Sequence, residues 1–379
     1  MRRRLLVILL LMLLLCIACD SKPVIPTAIP LSPKASPSII SSVTATLAPS
    51  ATPTRLPTNT PMPMPTPTSK PAGIAPPSGL IYTIGKDLWQ VDSDGKAVLL
   101  LEQFFDYLSA DGDSAIDLKG SPFLDEMWLI DLTTGQQHNL TEKLGRSLCC
   151  IAQWPGRPDT ILFGSWPLQN VGRNSGYLSA IQADGSGFKI LDDQNTFAGA
   201  PAPSPDGAAI AYSSGSTGMI YQLGSVPRPF EPDSFGLTVD YLRSPSWSPD
   251  GKKMAWAAVR GDRFGFGIFD LAKHTAEWIH SYPPTNDWIP APIWSPDGQW
   301  LALPVNNDDS TKRELWVVPV RAPHEEHLLE SGVMFPVWSP DSRWLVSGNA
   351  LYEVGTWQPK LLDLPPDAEV VAWIDPASQ

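Results

Sequence analysis

An all-β fold, a closed seven-bladed β-propeller of four-stranded antiparallel blades, is predicted by three observations. A Ser-Pro-Asp-Gly turn or a weaker copy of it recurs along the chain, with aspartates 44 to 48 residues apart except for a last step of 34. That period suits a propeller blade of about 40–50 residues. A tryptophan or another apolar residue precedes most of the turns, and an alternating strand follows. Finally, the last strand carries the head of the repeat and the first carries its tail, so the two chain ends together make one blade.

The clearest copies read APSPDGAAIAYSS (202–214), SWSPDGKKMAWAA (246–258), IWSPDGQWLALPV (293–305) and VWSPDSRWLVSGN (337–349). Pro presets φ at the second position of a tight turn, Asp bonds nearby amides, and Gly accepts positive φ. Asp206, Asp250, Asp297 and Asp341 are therefore structural turn residues that mark the register. With one such acid per blade, they stand too far apart to share a metal ion. Trp247, Trp294 and Trp338 are expected between neighbouring blades. Weaker copies place Asp111 in register, keep Trp154 and Asp159 with a stretched turn, and end on Trp373 and Asp375. A second signature follows about 20 residues after the turn, in KDLWQVDSDG, DEMWLIDLTTG, GYLSAIQADG, FGIFDLAKH and ELWVVPVRA. Each is a strand ending in a turn. DGKAVLLL and TGQQHNLT supply outer strands.

The count closes at seven. Residues from Gly79 to Leu101 lack a first strand, and EVVAWIDPAS near the end is a first strand with nothing after it. Six further blades begin near Asp111, Asp159, Asp206, Asp250, Asp297 and Asp341; six and eight blades remain open alternatives. Closure leaves only short, protected sheet edges.

These repeats resemble the WD-repeat-like propeller repeats of the TolB type, which also occur in the propellers of the prolyl oligopeptidase and dipeptidyl peptidase family. The resemblance covers nearly all of residues 79–379. The peptidase relatives carry a hydrolase domain after the propeller, but no G-x-S-x-G nucleophile elbow occurs here. The resemblance thus implies the fold without the protease.

The N-terminus reads MRRRLLVILLLMLLLCIACDSK: three arginines, an apolar run from Leu5 to Leu15, then Ala18 before Cys19. This is the layout of a secretory signal, and the run is short for a bilayer span. It resembles a bacterial lipoprotein signal peptide over residues 1–18, although Cys16 stands where that family usually has an aliphatic residue. The resemblance implies lipid attachment at Cys19 and a lipid-anchored protein on the extracytoplasmic side of a bacterial cell membrane. Residues 19–78 are dominated by Pro, Thr, Ser and Ala. Such a segment buries no core and favours extended polyproline geometry, reaching on the order of 180 Å over residues 20–78. It reads as a disordered stalk.

Charge narrows the partners. Arg2, Arg3, Arg4, Lys22, Lys34, Arg55, Lys70 and Asp20 lie before residue 79, leaving 20 basic and 38 acidic residues after it, a net of −18. Such a surface repels phosphate backbones, so nucleic acid is not expected as a partner. No Cys/His spacing suggests a metal, and no cofactor is expected. Cys149 and Cys150 are adjacent. Neighbours on a strand point to opposite faces, so they are expected as separate thiols.

The role expected of the propeller is non-catalytic: a monomeric module binding an envelope protein or glycan. The alternative is a propeller-channel hydrolase or lyase acting on a glycan or lactone. The ligand face is expected in the loops joining second to third strands and linking blades. These are expected to expose Trp166, Arg173, Arg263, Phe264, Tyr282, Asp287, Trp288, Asp308 and Asp309. Aromatics with a polar handle beside charges suit such a surface.

Overall fold

The structure is a computed structural model that describes residues 73–121, 124–167, 176–283, 290–306, 313–330 and 335–375. Cys19 and the segments 1–18 and 19–72 lie outside them. In chain order, β1 (Leu80–Ile84), β2 (Asp87–Val91) and β3 (Ala97–Leu101) open the domain. Blade 1 holds β4 (Tyr107–Leu108), β5 (Ser114–Ser121), β6 (Leu124–Asp131) and β7 (Gln137–Asn139). Blade 2 holds β8 (Arg146–Trp154), β9 (Arg157–Pro167), β10 (Gly176–Gln182) and the first half of β11 (Lys189–Pro203). The second half of β11 starts blade 3, followed by β12 (Ala209–Ser214), β13 (Thr217–Gln222) and β14 (Arg228–Pro229). Blade 4 is β15 (Tyr241–Trp247), β16 (Lys253–Arg260), β17 (Arg263–Asp270) and β18 (Thr275–Tyr282). Blade 5 is β19 (Ile293–Trp294), β20 (Trp300–Asn306), β21 (Arg313–Pro319) and β22 (His327–Glu330). Blade 6 is β23 (Val337–Trp338), β24 (Trp344–Ser347), β25 (Ala350–Glu353) and β26 (Pro359–Leu361). The last strand, β27 (Ala368–Trp373), pairs antiparallel with β1, and the order β27-β1-β2-β3 completes blade 7. The expected clasp and the count of seven are both present.

The core explains why the blades stay together. Buried side chains form seven clusters among the described residues, and each spans one seam between neighbours. Blades 4 and 5, for example, share Phe266, Ile268 and Ile279 with Leu301 and Leu303. A strand buried on both faces by adjacent blades reads as a near-continuous apolar run, as in MAWAAV of β16. The predicted tryptophans add directed bonds across the seams. The indole N–H of Trp247 donates to the Ala202 carbonyl at 2.9 Å, that of Trp294 to Ser246 Oγ at 3.1 Å, and that of Trp338 to the Ile293 carbonyl at 3.2 Å.

The repeated turn is a small hydrogen-bonded unit. Ser204, Ser248, Ser295 and Ser339 are buried, and each donates its hydroxyl to the Asp two residues on, at 2.6 to 2.7 Å. The same oxygens accept the amides of Ala209, Lys253, Trp300 and Trp344, where the next strand begins. Gly207 shows why this unit needs glycine at its fourth position. Its φ is +67°, and a Cβ there would lie 2.1 Å from the Pro155 carbonyl oxygen of the preceding blade. Ser342 takes the same place with φ 60°. In exchange its hydroxyl accepts the Asp297 amide of the neighbouring blade at 2.9 Å.

Asp159 departs from its expected register. The turn before β9 is the two-residue Pro155–Gly156, with Trp154 paired to Arg157 and Gly156 at φ +70°. Asp159 lies inside β9, where its carbonyl accepts the Ala183 amide.

The turn acids set an acid limit on stability. The Ser hydroxyls hold Asp206, Asp250 and Asp341 below the usual carboxylate range. Thr134 and Ser186 do so for Asp131 and Asp184, and Lys253 holds Asp270 well below it. A carboxylate whose folded pKa is depressed stabilises the fold above its unfolded value, near 4, and that contribution is lost as pH falls. Asp106 and Asp117 are shifted upward, mainly by burial, and act in the opposite sense. Six lowered groups outnumber two raised ones, so the urea midpoint is expected to fall between pH 5 and pH 3. A midpoint that rises over that interval would contradict this assignment.

Candidate binding face

Strand alternation sorts the loops. First strands begin, second strands end, third strands begin and outer strands end at one end of the ring. Trp166, at the end of β9, and Arg263 and Phe264, at the start of β17, lie at this end. Arg173, Asp287, Trp288, Asp308 and Asp309 lie outside the described residues. Trp166 is half-buried and lies over Gly176, whose Cβ would meet the indole ring at 2.6 Å. Arg263 donates to Ser281 Oγ at 3.1 Å and to the Ser281 carbonyl at 2.8 Å. Phe264 packs edge-on to Tyr282, with ring centroids 6.0 Å apart.

Tyr282 is not the exposed loop residue expected from the sequence. It is the last residue of β18, 7% exposed, within the cluster between blades 4 and 5. The cause is a bulge: Phe264 pairs with Tyr282 but Phe266 pairs with Ile279, and His280 takes φ 43°. The extra residue turns Tyr282 to the face of Ile279. Burial then pushes its phenol well above the ordinary range.

A second correction concerns Cys149 and Cys150, which are joined by a disulfide. A bulge is again the reason. Cys149 pairs with Gly164 and Ala152 with Leu162, so two residues oppose Phe163, and Cys150 takes φ 60°. The strict alternation that separates neighbouring side chains does not hold there.

Sequence reasoning missed a denser polar group at the same end, on blades 1 and 2. Phe104 is 59% exposed in the segment entering blade 1. Asp106 follows it and accepts the Leu118 amide at 2.6 Å. Its carboxyl is exposed to water yet walled by protein. That desolvation, with Asp117 and Asp125 nearby, raises its pKa. Burial also raises Asp117, against the pull of Lys119 at 3.6 Å. Asp125, at the start of β6, accepts the Ser147 hydroxyl at 3.1 Å and the Leu148 amide at 3.3 Å, both from blade 2.

Beside this contact Arg146 opens β8. Its Nε donates to Ser165 Oγ at 3.0 Å, and Ser165 in turn contacts Ser179 Oγ at 2.8 Å. Its guanidinium lies 5.7 Å from the ring centres of Tyr177 and Phe188, while Nη2 is buried without a hydrogen-bond partner. Burial lowers its pKa. No motif marks this group in the sequence, because its members come from separate strands and two blades.

Among the described residues no group of three His, Cys, Asp or Glu side chains comes together as metal ligands. The chemistry on offer is hydrogen bonding by carboxylates and hydroxyls, an incompletely paired guanidinium, and exposed aromatic surface.

The architecture defines the class: a seven-bladed propeller closed by its last strand. No family model matches the chain, and no curated protein sequence does either. Solved structures of similar fold include an oligogalacturonate lyase from Vibrio parahaemolyticus, with TM-score 0.52 and 13% identity over 73% of this chain and 82% of that one. An oligogalacturonate lyase in complex with manganese gives TM-score 0.52 and 12% identity over 77% and 84%. TolB from Acinetobacter baumannii, the type its repeats resemble, gives TM-score 0.48 and 17% identity over 66% of this chain and 63% of that one. The chain thus spans less than two thirds of that TolB. At these identities the likeness shows the fold alone.

Proposed function

We propose that this chain is a lipid-anchored, extracytoplasmic binding module for a protein or glycan of the bacterial cell envelope. Lipid at Cys19 would hold it to the membrane, with the segment between Cys19 and Gly73 as the spacer. The observation that supports binding is the polar group on blades 1 and 2. Asp106, Asp117 and Asp125 stand at the same end as Arg146, whose Nη2 has no protein partner. Exposed Phe104 offers an apolar surface beside them. Such aromatics stack on the C–H faces of sugars and on apolar side chains, while carboxylates and guanidinium fix polar partners.

The test uses the mature chain on immobilised envelope glycans and in envelope-extract pull-downs. Wild type is expected to retain a specific partner, and Phe104→Ala with Asp106→Asn to weaken retention at least tenfold. Equal retention by both would remove this face from the proposal. Radiolabelled palmitate incorporation that is lost in Cys19→Ser tests the anchor.

A hydrolase or lyase acting on a glycan or lactone has one observation in its favour. Asp106 keeps its proton to higher pH than a free carboxyl, as a general acid requires. A substrate panel that is turned over by wild type but not by Asp106→Asn would favour it.

A further inference from the structure

Cys149 and Cys150 lie three and four residues after Arg146, on the first strand of blade 2. Their disulfide closes the shortest loop a chain can make. A cross-link restricts the unfolded chain in proportion to the loop it closes, so this bond adds little as a global staple. Its local effect is larger. It joins two neighbours that a regular strand would point apart, and it holds Cys150 at φ 60°, a conformation that L-residues other than Asn and Asp seldom adopt.

The bulge sits between two sets of bonds to blade 1. On one side, Ser147 Oγ and the Leu148 amide donate to Asp125. On the other, the Gln153 amide donates to the Tyr107 hydroxyl at 3.2 Å. Both cysteines are half-buried, against the cluster shared by blades 2 and 3. The disulfide therefore fixes the path of the strand between the contacts that seal the blade 1–2 seam, next to Asp125 and Arg146.

We propose that Cys149–Cys150 is a redox-active modification site, reduced by an external dithiol, that sets the order of β8 at the seam between blades 1 and 2. A thiolate of the reductant attacks one sulfur, the Cys149–Cys150 bond breaks, and a mixed disulfide forms. The other sulfur leaves as thiolate and takes a proton. The second thiol of the reductant then attacks the mixed disulfide and releases the protein. Two electrons and two protons end on Cys149 and Cys150, and the reductant ends as its own disulfide. Nothing covalent then holds Cys150 in its left-handed conformation, and residues 149–152 loosen while the flanking bonds keep the register.

The test treats the folded, full-length protein with dithiothreitol, then iodoacetamide, and maps the peptide containing residues 147–157 by mass. The untreated protein is expected to show no alkylation of Cys149 or Cys150, and the reduced protein to show two additions without loss of the folded state. Amide hydrogen exchange across 149–152 is expected to rise at least tenfold on reduction, to leave blades 4 to 6 unchanged, and to reverse on reoxidation. The Cys149→Ser/Cys150→Ser variant should exchange like the reduced protein; wild-type reduction decides the matter if that variant does not fold. Free thiols before treatment, reduction only after unfolding, or equal exchange in both states would each overturn the proposal. None of these readouts uses a ligand, so they fail independently of the binding assays above.

Discussion

Removal of residues 366–379 is expected to abolish cooperative unfolding and to leave an aggregating chain. These residues contain β27, the innermost strand of blade 7, paired with β1 from Leu80↔Trp373 to Ile84↔Ala368. The strand buries Val370, and Ile374 beyond it packs with Ile81 and Leu88. The Trp373 indole donates to the Ser78 carbonyl at 3.1 Å, and the Ile374 amide to the Gly79 carbonyl at 3.0 Å. Burying one such aliphatic side chain contributes about 1.5–3 kcal/mol, and the strand's hydrogen bonds add to this. The sum is a large share of a typical total of about 5–15 kcal/mol. Its loss also bares the edge of β1, a template for pairing with other chains. Circular dichroism and light scattering on the truncated protein check this, and a synthetic 366–379 peptide should restore folding in trans. A truncated protein melting like wild type would mean that the clasp does not close the ring.

Trp256→Ala is expected to destabilise the protein by about 3–5 kcal/mol, the range for emptying a large aromatic site in a core. Trp256 on β16 is fully buried between blades 3 and 4. Its ring stacks on Phe230 with centroids 5.6 Å apart, and it lies so close to Gly218 that a Cβ there would meet it at 2.8 Å. Its indole N–H is buried with no partner. Trp256→Phe therefore gives up volume but no hydrogen bond, and it should cost less than half as much. Urea unfolding of the two variants separates packing from polarity. Equal losses would show that the indole nitrogen has a partner in solution.

The fold was legible because one turn unit is copied around the ring. Ser, Pro, Asp and Gly each answer a local backbone need, and Trp answers the seam, so four clear copies were enough to predict closure. Two side-chain placements were misread for one physical reason. A period-2 reading assumes an unbroken strand, and a one-residue bulge reverses every face beyond it. His280 and Cys150 sit at such bulges with positive φ, and neither is a residue that announces one. Tyr282 was therefore read as exposed, and Cys149 and Cys150 as separate thiols. The polar group at Asp106, Asp125 and Arg146 was hidden differently. Its members carry no motif, and only the seam between blades 1 and 2 brings Asp125 to Ser147.

The segment that enters the propeller has a mechanical consequence. Ile74 pairs in parallel with Leu362 at the outer edge of blade 6: its amide donates to the Leu361 carbonyl and its carbonyl accepts the Asp363 amide, each at 2.8 Å. Only then does the chain pass into β1, in blade 7. Tension on the chain ahead of Gly73 would reach this two-bond patch before it reached any blade. The patch can yield and re-form while the clasp of β27 on β1 stays shut, so it would act as a sacrificial link. A force-extension trace pulled from residue 73 should show a small early event, well below the force that opens the ring.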